Sequence, residues 1–430
     1  MPTQTDEILF NLPITKQWLE QYAIFQHQEG VSLRGILAGL EALVDVKRSI
    51  GWSHYVMNNA AHNAIKLNEN EDLSGIKVSA NDELFQGSKP ILSAICTTSL
   101  YCPLLKKTIN RTAITWENEL KTIIQKGYRP DSVILDGLSS LHAGHKLALD
   151  DIHIIYDTFH ILQDMNDLKR FTNYRKQSTT TNLNAINTKL DKAKQPIKIK
   201  NLKKQRKVAI ADHQSAKYVY ETIATLSSWL QHDLLVVAGH DYATRKMLLK
   251  FISDSLLAIE EYMLHRIKPV RKTLENKADK ILGFVKTLED ELAIYADELD
   301  CDIYWLWQIC YAQRFSKDKS NYYQHIAKAK SRLKNNFYHI EQSVIATMNE
   351  IEKASSVVEN LNGRVRKFLR NHIHVSQEML ELFRFIINSS VFERSRCAHR
   401  HGKSPSEVLH DKPHQHWLEL LGYKLFKQAA

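Results

Sequence analysis

Three carboxylates, Asp82, Asp136 and Glu359, fall at positions where an acid needs a cation or a partner. Asp82 shares one parity with Ile76, Val78 and Ala80 in GIKVSANDELF, so on a strand it faces the way the apolar residues face. A buried carboxylate there requires compensation. Asp136 closes the apolar run SVIL, at the carboxyl end of a buried strand, the edge at which open α/β sheets bind ligands. Taken alone, Asp136 reads as the cap of the helix that opens at LSSLHAG. Glu359 sits at a helix start in SSVVENLNGRVRKFLR, with Asn362, Gly363 and Arg366 following at offsets of three, four and seven on its face. Taken alone, Glu359 and Arg366 read as a surface salt-bridged face. Together the acids suggest a different chemistry, because two adjacent carboxylates repel unless cations lie between them. Paired Mg2+ ions about 3.5 to 4 Å apart serve phosphoryl transfer. Asp157 in YDTFH competes with Asp136, since it too follows an apolar run, and Glu352 is an alternative third acid.

The elements that must position these residues are legible in the periodicity. Residues 15 to 66 contain three helical stretches, of which VSLRGILAGLEAL and SIGWSHYVMNNAAHNAI, joined by VDVKR, resemble a helix-turn-helix. Its second helix offers Asn58, Asn59 and His62 outward, side chains suited to base edges and phosphates; an ordinary helical hairpin is the alternative. From residue 71 the period changes to strands: GIKVSANDELF, KPILSAICTTSLY and a shorter segment around LLKKTINRT. The helix ITWENELKTIIQKG, the run SVILDG, the helix LSSLHAGHKLAL and the run IHIIYD follow, which implies a mixed sheet with parallel later strands.

Residues 166 to 350 read as almost wholly helical, with Leu274, Ala278, Ile281, Val285, Leu288 and Leu292 approximating one apolar stripe. Within this block, residues 189 to 207 carry nine Lys or Arg against one Asp. Such a run reads as a solvated loop or, through Lys203, Lys204 and Arg206, as a phosphate-tracking strip. No aromatic residue interleaves it, so it is not a base-stacking platform. Trp305 and Trp307 lie two apart, so on a helix at most one faces the core fully. Residues 351 to 430 read as a basic tail rich in Arg and His.

Composition sets the outer bounds. A chain of 430 residues with 43% hydrophobic and 25% charged content is globular and multidomain, not disordered. No apolar run approaches membrane-spanning length and the first residues lack a secretory pattern, so no membrane association is expected. Five scattered cysteines without a CxxC pair fit a reducing cytoplasm. The histidines at 142, 145, 153 and 160 match no zinc-finger spacing; Cys397, His399 and His401, with His410, His414 and His416 beyond, are a better metal suggestion, yet alternating Cys and His on a basic tail make a poor tetrahedral set. A net charge of +10 and a pI near 9.1 favour a polyanionic partner.

The order of these parts resembles the RNase H-like DDE transposases. DELFQGSKPIL, VILDGLSSLHAG, YDTFHI, SSVVENLNGRVRKFLR and RSRCAHRHGKSPSEVL, followed by WLELLGY, are similar to blocks of bacterial insertion-sequence transposases. The resemblance covers residues 76 to 165 and 352 to 423. It implies α/β plus all-α architecture in four parts: a helix-turn-helix region over 1–70, the first part of an RNase H-like mixed-sheet core over 71–165, a helical insertion over 166–350, and the catalytic-helix segment with a basic C-terminal tail over 351–430. It departs from simpler family members in the 223 positions between Asp136 and Glu359, which the insertion accounts for. The resemblance further implies that Asp82, Asp136 and Glu359 hold two Mg2+ ions, with Mn2+ a substitute, and that Asp157 belongs to the fifth strand. Arg364, Arg366 and Arg370, helped by Arg394, Arg396, Arg400 and Lys403, would meet phosphates. The implied partners are double-stranded DNA, as terminal inverted repeats and target, and further copies of the chain as a homodimer or higher oligomer, in a cytoplasmic, nucleoid-associated setting. A catalytically inactive, domesticated DNA-binding descendant is the alternative.

Overall fold

The computed structural model describes residues 13–351, 356–372, 374–395 and 397–425. The chain opens with three helices, α1 (Lys16–Gln28), α2 (Leu33–Val44) and α3 (Ile50–Glu69). Each begins at a hydroxyl residue, Thr15, Ser32 and Ser49, whose side chain accepts a backbone N–H of the first turn. Such caps satisfy donors that the helix itself leaves unpaired. The link after α2 turns on Asp45, which adopts a left-handed conformation.

Five strands then form one mixed sheet in the order β3-β2-β1-β4-β5. β1 (Val78–Gln86) pairs antiparallel with β2 (Lys89–Cys96), and β2 pairs antiparallel with β3 (Leu104–Lys107). β4 (Ser132–Leu135) runs parallel to β1, and β5 (His153–Tyr156) lies at the edge beyond it. The parallel step needs a crossover; α4 (Ala113–Ile124) lies in the connection from the meander to β4, and α5 (Ser139–Ala148) lies between β4 and β5. Their close packing depends on Gly144, where a Cβ would lie 2.5 Å from the Trp116 Cβ and 2.8 Å from the Ala113 carbonyl oxygen. Leu92, Trp116, Leu120, Val133, Leu135 and Leu141 make the core beneath this face.

The rest of the fold is helical: α6 (Phe159–Asp191), α7 (Pro196–Trp229), α8 (Tyr242–Ala258), α9 (Leu264–Asn276), α10 (Ala278–Ile281), α11 (Gly283–Glu298), α12 (Ile303–Ala312), α13 (Ser320–Leu333), α14 (Phe337–Glu350), α15 (Ser356–Asn371), α16 (Gln377–Ser389), α17 (Pro405–His410) and α18 (Trp417–Leu420). The chain divides into two compact units, one formed by the stretches before residue 155 and after residue 354, the other by residues 155–354. The boundary expected at 165/166 falls inside α6, which runs unbroken through it.

Three further expectations are revised. The basic run 189–207 is not a loop: only residues 192–195 separate α6 from α7, and Pro196 occupies the first turn of α7, where its missing N–H costs nothing. The stripe from Leu274 to Leu292 spans three helices, α9, α10 and α11, although most of its members are buried in one core. The C-terminal region is not a tail. Leu382, Phe385 and Ile386 of α16 and Trp417 and Leu418 of α18 pack with Leu19, Ile24, Ile36, Leu40 and Val56 of the first three helices, because alternate faces of α16 are apolar and need covering. Among the described residues no helix is long and apolar enough to cross a membrane.

Candidate active site

β1 is the middle strand of the sheet, and both of its faces are covered, so its polar residues must all find partners. On one face Ser79, Asn81 and Glu83 do so within the protein. The Ser79 hydroxyl donates to Asn81 Oδ1 (2.6 Å), and the Asn81 amide reaches His145 Nε2 (2.6 Å) on α5. His145 Nδ1 lies 2.8 Å from the Leu141 carbonyl, so the neutral imidazole donates at one nitrogen and accepts at the other. Burial pushes its pKa down to about 4. Glu83 accepts from the Trp116 indole (2.9 Å) and from Arg111 (2.7 Å), and that carboxylate raises the Arg111 pKa, with Asp136 adding to the effect.

Asp82 is buried on the other face. Its Oδ1 accepts the Glu83 N–H (2.7 Å), and its Oδ2 accepts the side-chain amide of Asn362 (2.6 Å). Asn362 is wholly buried on α15, and its Oδ1 lies 3.2 Å from the Ser93 hydroxyl, which also reaches the Asp82 carbonyl at 3.1 Å. One asparagine therefore seats α15 on β1 and β2.

Asp136 follows β4 directly. Its Oδ1 accepts the Leu138 N–H (2.9 Å), and its carbonyl lies 2.6 Å from His142 Nε2. The residue at the helix cap is Leu138, which makes no side-chain cap bond, so Asp136 closes a tight turn ahead of α5 and is not the cap itself. The positive end of α5 favours an anion there. Asp82 and Asp136 offer carboxylate oxygens within 4.8 Å of one another.

Glu359 lies one turn before Asn362 on α15, on the same helical face. Its carboxylate is bound by Arg366 (3.2 Å) and is not grouped with the Asp82 and Asp136 oxygens. Arg364, Arg366 and Arg370 are exposed, opposite the buried Val358, Leu361, Val365 and Phe368. Glu352 and Arg396 lie outside the described residues. Asp157 is buried and accepts the Phe159 N–H (2.8 Å) at the start of α6. Asn58, Asn59 and His62 are exposed on α3, and Lys203, Lys204 and Arg206 are exposed on α7. Trp307 is buried in the helical core and Trp305 only partly so. The C-terminal histidines serve separate local contacts: His410 with the Asp72 carbonyl (2.9 Å), His414 with Ser404 (2.6 Å), and His416 as the cap of α18.

Asn362 had a signal in the sequence, its offset of three from Glu359. The buried ion pair between Arg384 on α16 and Glu71 (2.9 Å) had none, since the two are 313 positions apart. Lys126 and Tyr101 complete the Glu71 site at 3.2 and 2.6 Å.

Both members of the close acidic pair are oxygen donors, the chemistry that Mg2+ takes at roughly 2.1 Å, and their hydrogen bonds to Glu83, Asn362 and Leu138 hold the carboxylates in fixed orientations, as supporting contacts around metal ligands do. The donor set therefore fits a hard divalent cation. No protein-family model and no curated protein matches the sequence.

Proposed function

We propose that this chain is a DDE DNA transposase with an RNase H-like core, which binds the terminal inverted repeats of its own element and cuts and joins DNA by metal-dependent in-line phosphoryl transfer. The observation that carries this reading is the convergence of Asp82, midway along β1, and Asp136, directly after β4, on two adjacent parallel strands. The strand order β3-β2-β1-β4-β5, and the seating of the Glu359 helix on β1 and β2 through Asn362, support it.

Asp82 and Asp136, joined by Glu359, would hold Mg2+, or Mn2+ in its place. Bound there, the metal would activate the attacking oxygen and stabilise the leaving one. For Glu359 to join, its contact with Arg366 must open. That pair is half exposed on the arginine side, so its loss costs about 0 to 1 kcal/mol, little against a carboxylate–metal bond. Arg366 is then released toward phosphate, beside Arg364 and Arg370. The α2–α3 pair would act as the helix-turn-helix that reads terminal DNA through Asn58, Asn59 and His62, in an assembly of two or more copies on DNA near the bacterial nucleoid.

A nicking and strand-transfer assay on DNA carrying the flanking inverted repeats tests the reading: activity should require a divalent metal and vanish in Asp136→Asn. One observation favours the second reading, a non-catalytic DNA-binding descendant, namely the engagement of Glu359 by Arg366. Metal-independent end binding with no cleavage in the unaltered protein would select it.

A further inference from the structure

The long hairpin α6–α7 carries a charge arrangement that its packing does not explain. Thirty-three and thirty-four residues long, the two helices each extend about 50 Å at 1.5 Å per residue. They lie against one another. Arg206 donates to Asn187 Oδ1 (2.7 Å), and His213 lies 3.3 Å from the Thr180 hydroxyl, so the register is antiparallel. Leu202, Ala209 and Ala216, spaced by seven, are the buried positions of α7 over this stretch. Lys200, Lys203, Lys204 and Lys207 follow the i, i+3, i+4, i+7 pattern that ordinarily makes an apolar stripe, and by helical geometry they occupy the side of α7 opposite those buried residues. All four are exposed, and among the described residues none of them forms an ion pair. Like charges three and four apart destabilise a helix. A face of four such lysines, with no acid interspersed, weakens the fold unless a polyanion neutralises it.

We propose that this face of α7 is a sequence-independent binding site for the phosphate backbone of duplex DNA. It spans about 10 Å along the helix, and a duplex presents one charge per roughly 1.7 Å of its axis, so several phosphates match it. The absence of aromatic residues from the run argues against single strands, whose binding uses base stacking. The proposal deepens the DNA reading above and rests on it only for the identity of the polyanion.

The test uses the full chain, a labelled short duplex of random sequence without inverted repeats, and EDTA throughout, so that neither catalysis nor end recognition contributes. Binding is measured across a salt series for the unaltered protein, for a quadruple variant with Lys200→Gln, Lys203→Gln, Lys204→Gln and Lys207→Gln, and for the matching quadruple Lys→Arg variant. The slope of log affinity against log salt should fall by about 0.9 for each lost contact, or about 3.6 in all, in the Gln variant and stay unchanged in the Arg variant. Circular dichroism and melting identify a folded Gln variant. An unaltered slope in that folded variant overturns the proposal. So does a loss confined to anionic vesicles of phosphatidylserine while duplex binding persists. Failure of the Asp136→Asn cleavage test would overturn the transposase reading and leave this result standing.

Discussion

Asp82 and Asp136 stand side by side because β1 and β4 run parallel with a constant offset of 54 positions, from Val78 opposite Ser132 to Asn81 opposite Leu135. One further step of that register sets Asp82 against Asp136. In a parallel pair, residues at the same level point to the same face, here the face shared by Ala80 and Ile134. The repulsion between two such carboxylates is a cost that a divalent cation removes.

Asp136 has a structural contact as well as a proposed ligand role, and two substitutions separate them. Asp136→Asn keeps an acceptor for the Leu138 N–H and should melt close to the unaltered protein while losing metal-dependent cleavage. Asp136→Ala also loses that acceptor and should cost a further 0.5 to 2 kcal/mol, roughly the value of a lost cap. Calorimetry alongside a nicking assay reads both effects.

Asn362 joins the helix of Glu359 to the strand of Asp82. Asn362→Ala removes the donor to Asp82 and the acceptor near Ser93 from a buried site, and should destabilise the protein by about 1 to 3 kcal/mol in urea unfolding. Asn362→Asp places a third acid against Asp82 and should cost more at neutral pH. Millimolar Mg2+ should recover part of that loss. Equal stability of Asn362→Asp with and without Mg2+ would argue against a cation at this position.

Arg384 is fully buried and bonded to Glu71, Glu381 and the carbonyl of Pro103. These anions hold its pKa well above the ordinary arginine value despite burial. Glu71→Ala leaves the guanidinium short of one carboxylate in a dry site and should cost about 3 to 5 kcal/mol, a large share of a domain's stability. Lys126 loses the same carboxylate, so thermal unfolding should show a lowered midpoint, and a shift within error would count against Glu71 as a stabilising partner of Arg384.

Stability should depend on pH through two buried histidines. Burial lowers the His27 pKa to about 3, assisted by the neighbouring His372 and His54, and lowers that of His145 to about 4. Unfolded histidine titrates near 6.5, so below that value the unfolded chain binds more protons than the native one. The stability associated with the neutral rings is complete above about pH 6.5 and falls as pH drops toward 4, by up to about 1.4 kcal/mol per unit for each ring. Urea unfolding at pH 7.5 and pH 5 should therefore differ, and His145→Gln should reduce the difference. An identical pH dependence in that variant would exclude His145 as a contributor.

What the sequence determined by itself was local. Strand-like runs placed β1 and β2 to within a few residues, the polar link VDVKR separated α2 from α3, and the apolar run SVIL placed β4 and set Asp136 at its end, because these signals depend on neighbours along the chain. The 54-residue spacing of Asp82 and Asp136 was visible as a number, but only the β1–β4 register turned it into adjacency. The tertiary structure alone decided that the basic run 189–207 is mostly helix, since charge reports exposure and not backbone conformation. It also decided that α16 is a core helix under α1–α3, and that Glu71 and Arg384 meet. Those contacts join residues hundreds of positions apart, and their free energy comes from burial shared between segments, which no local pattern of residues encodes.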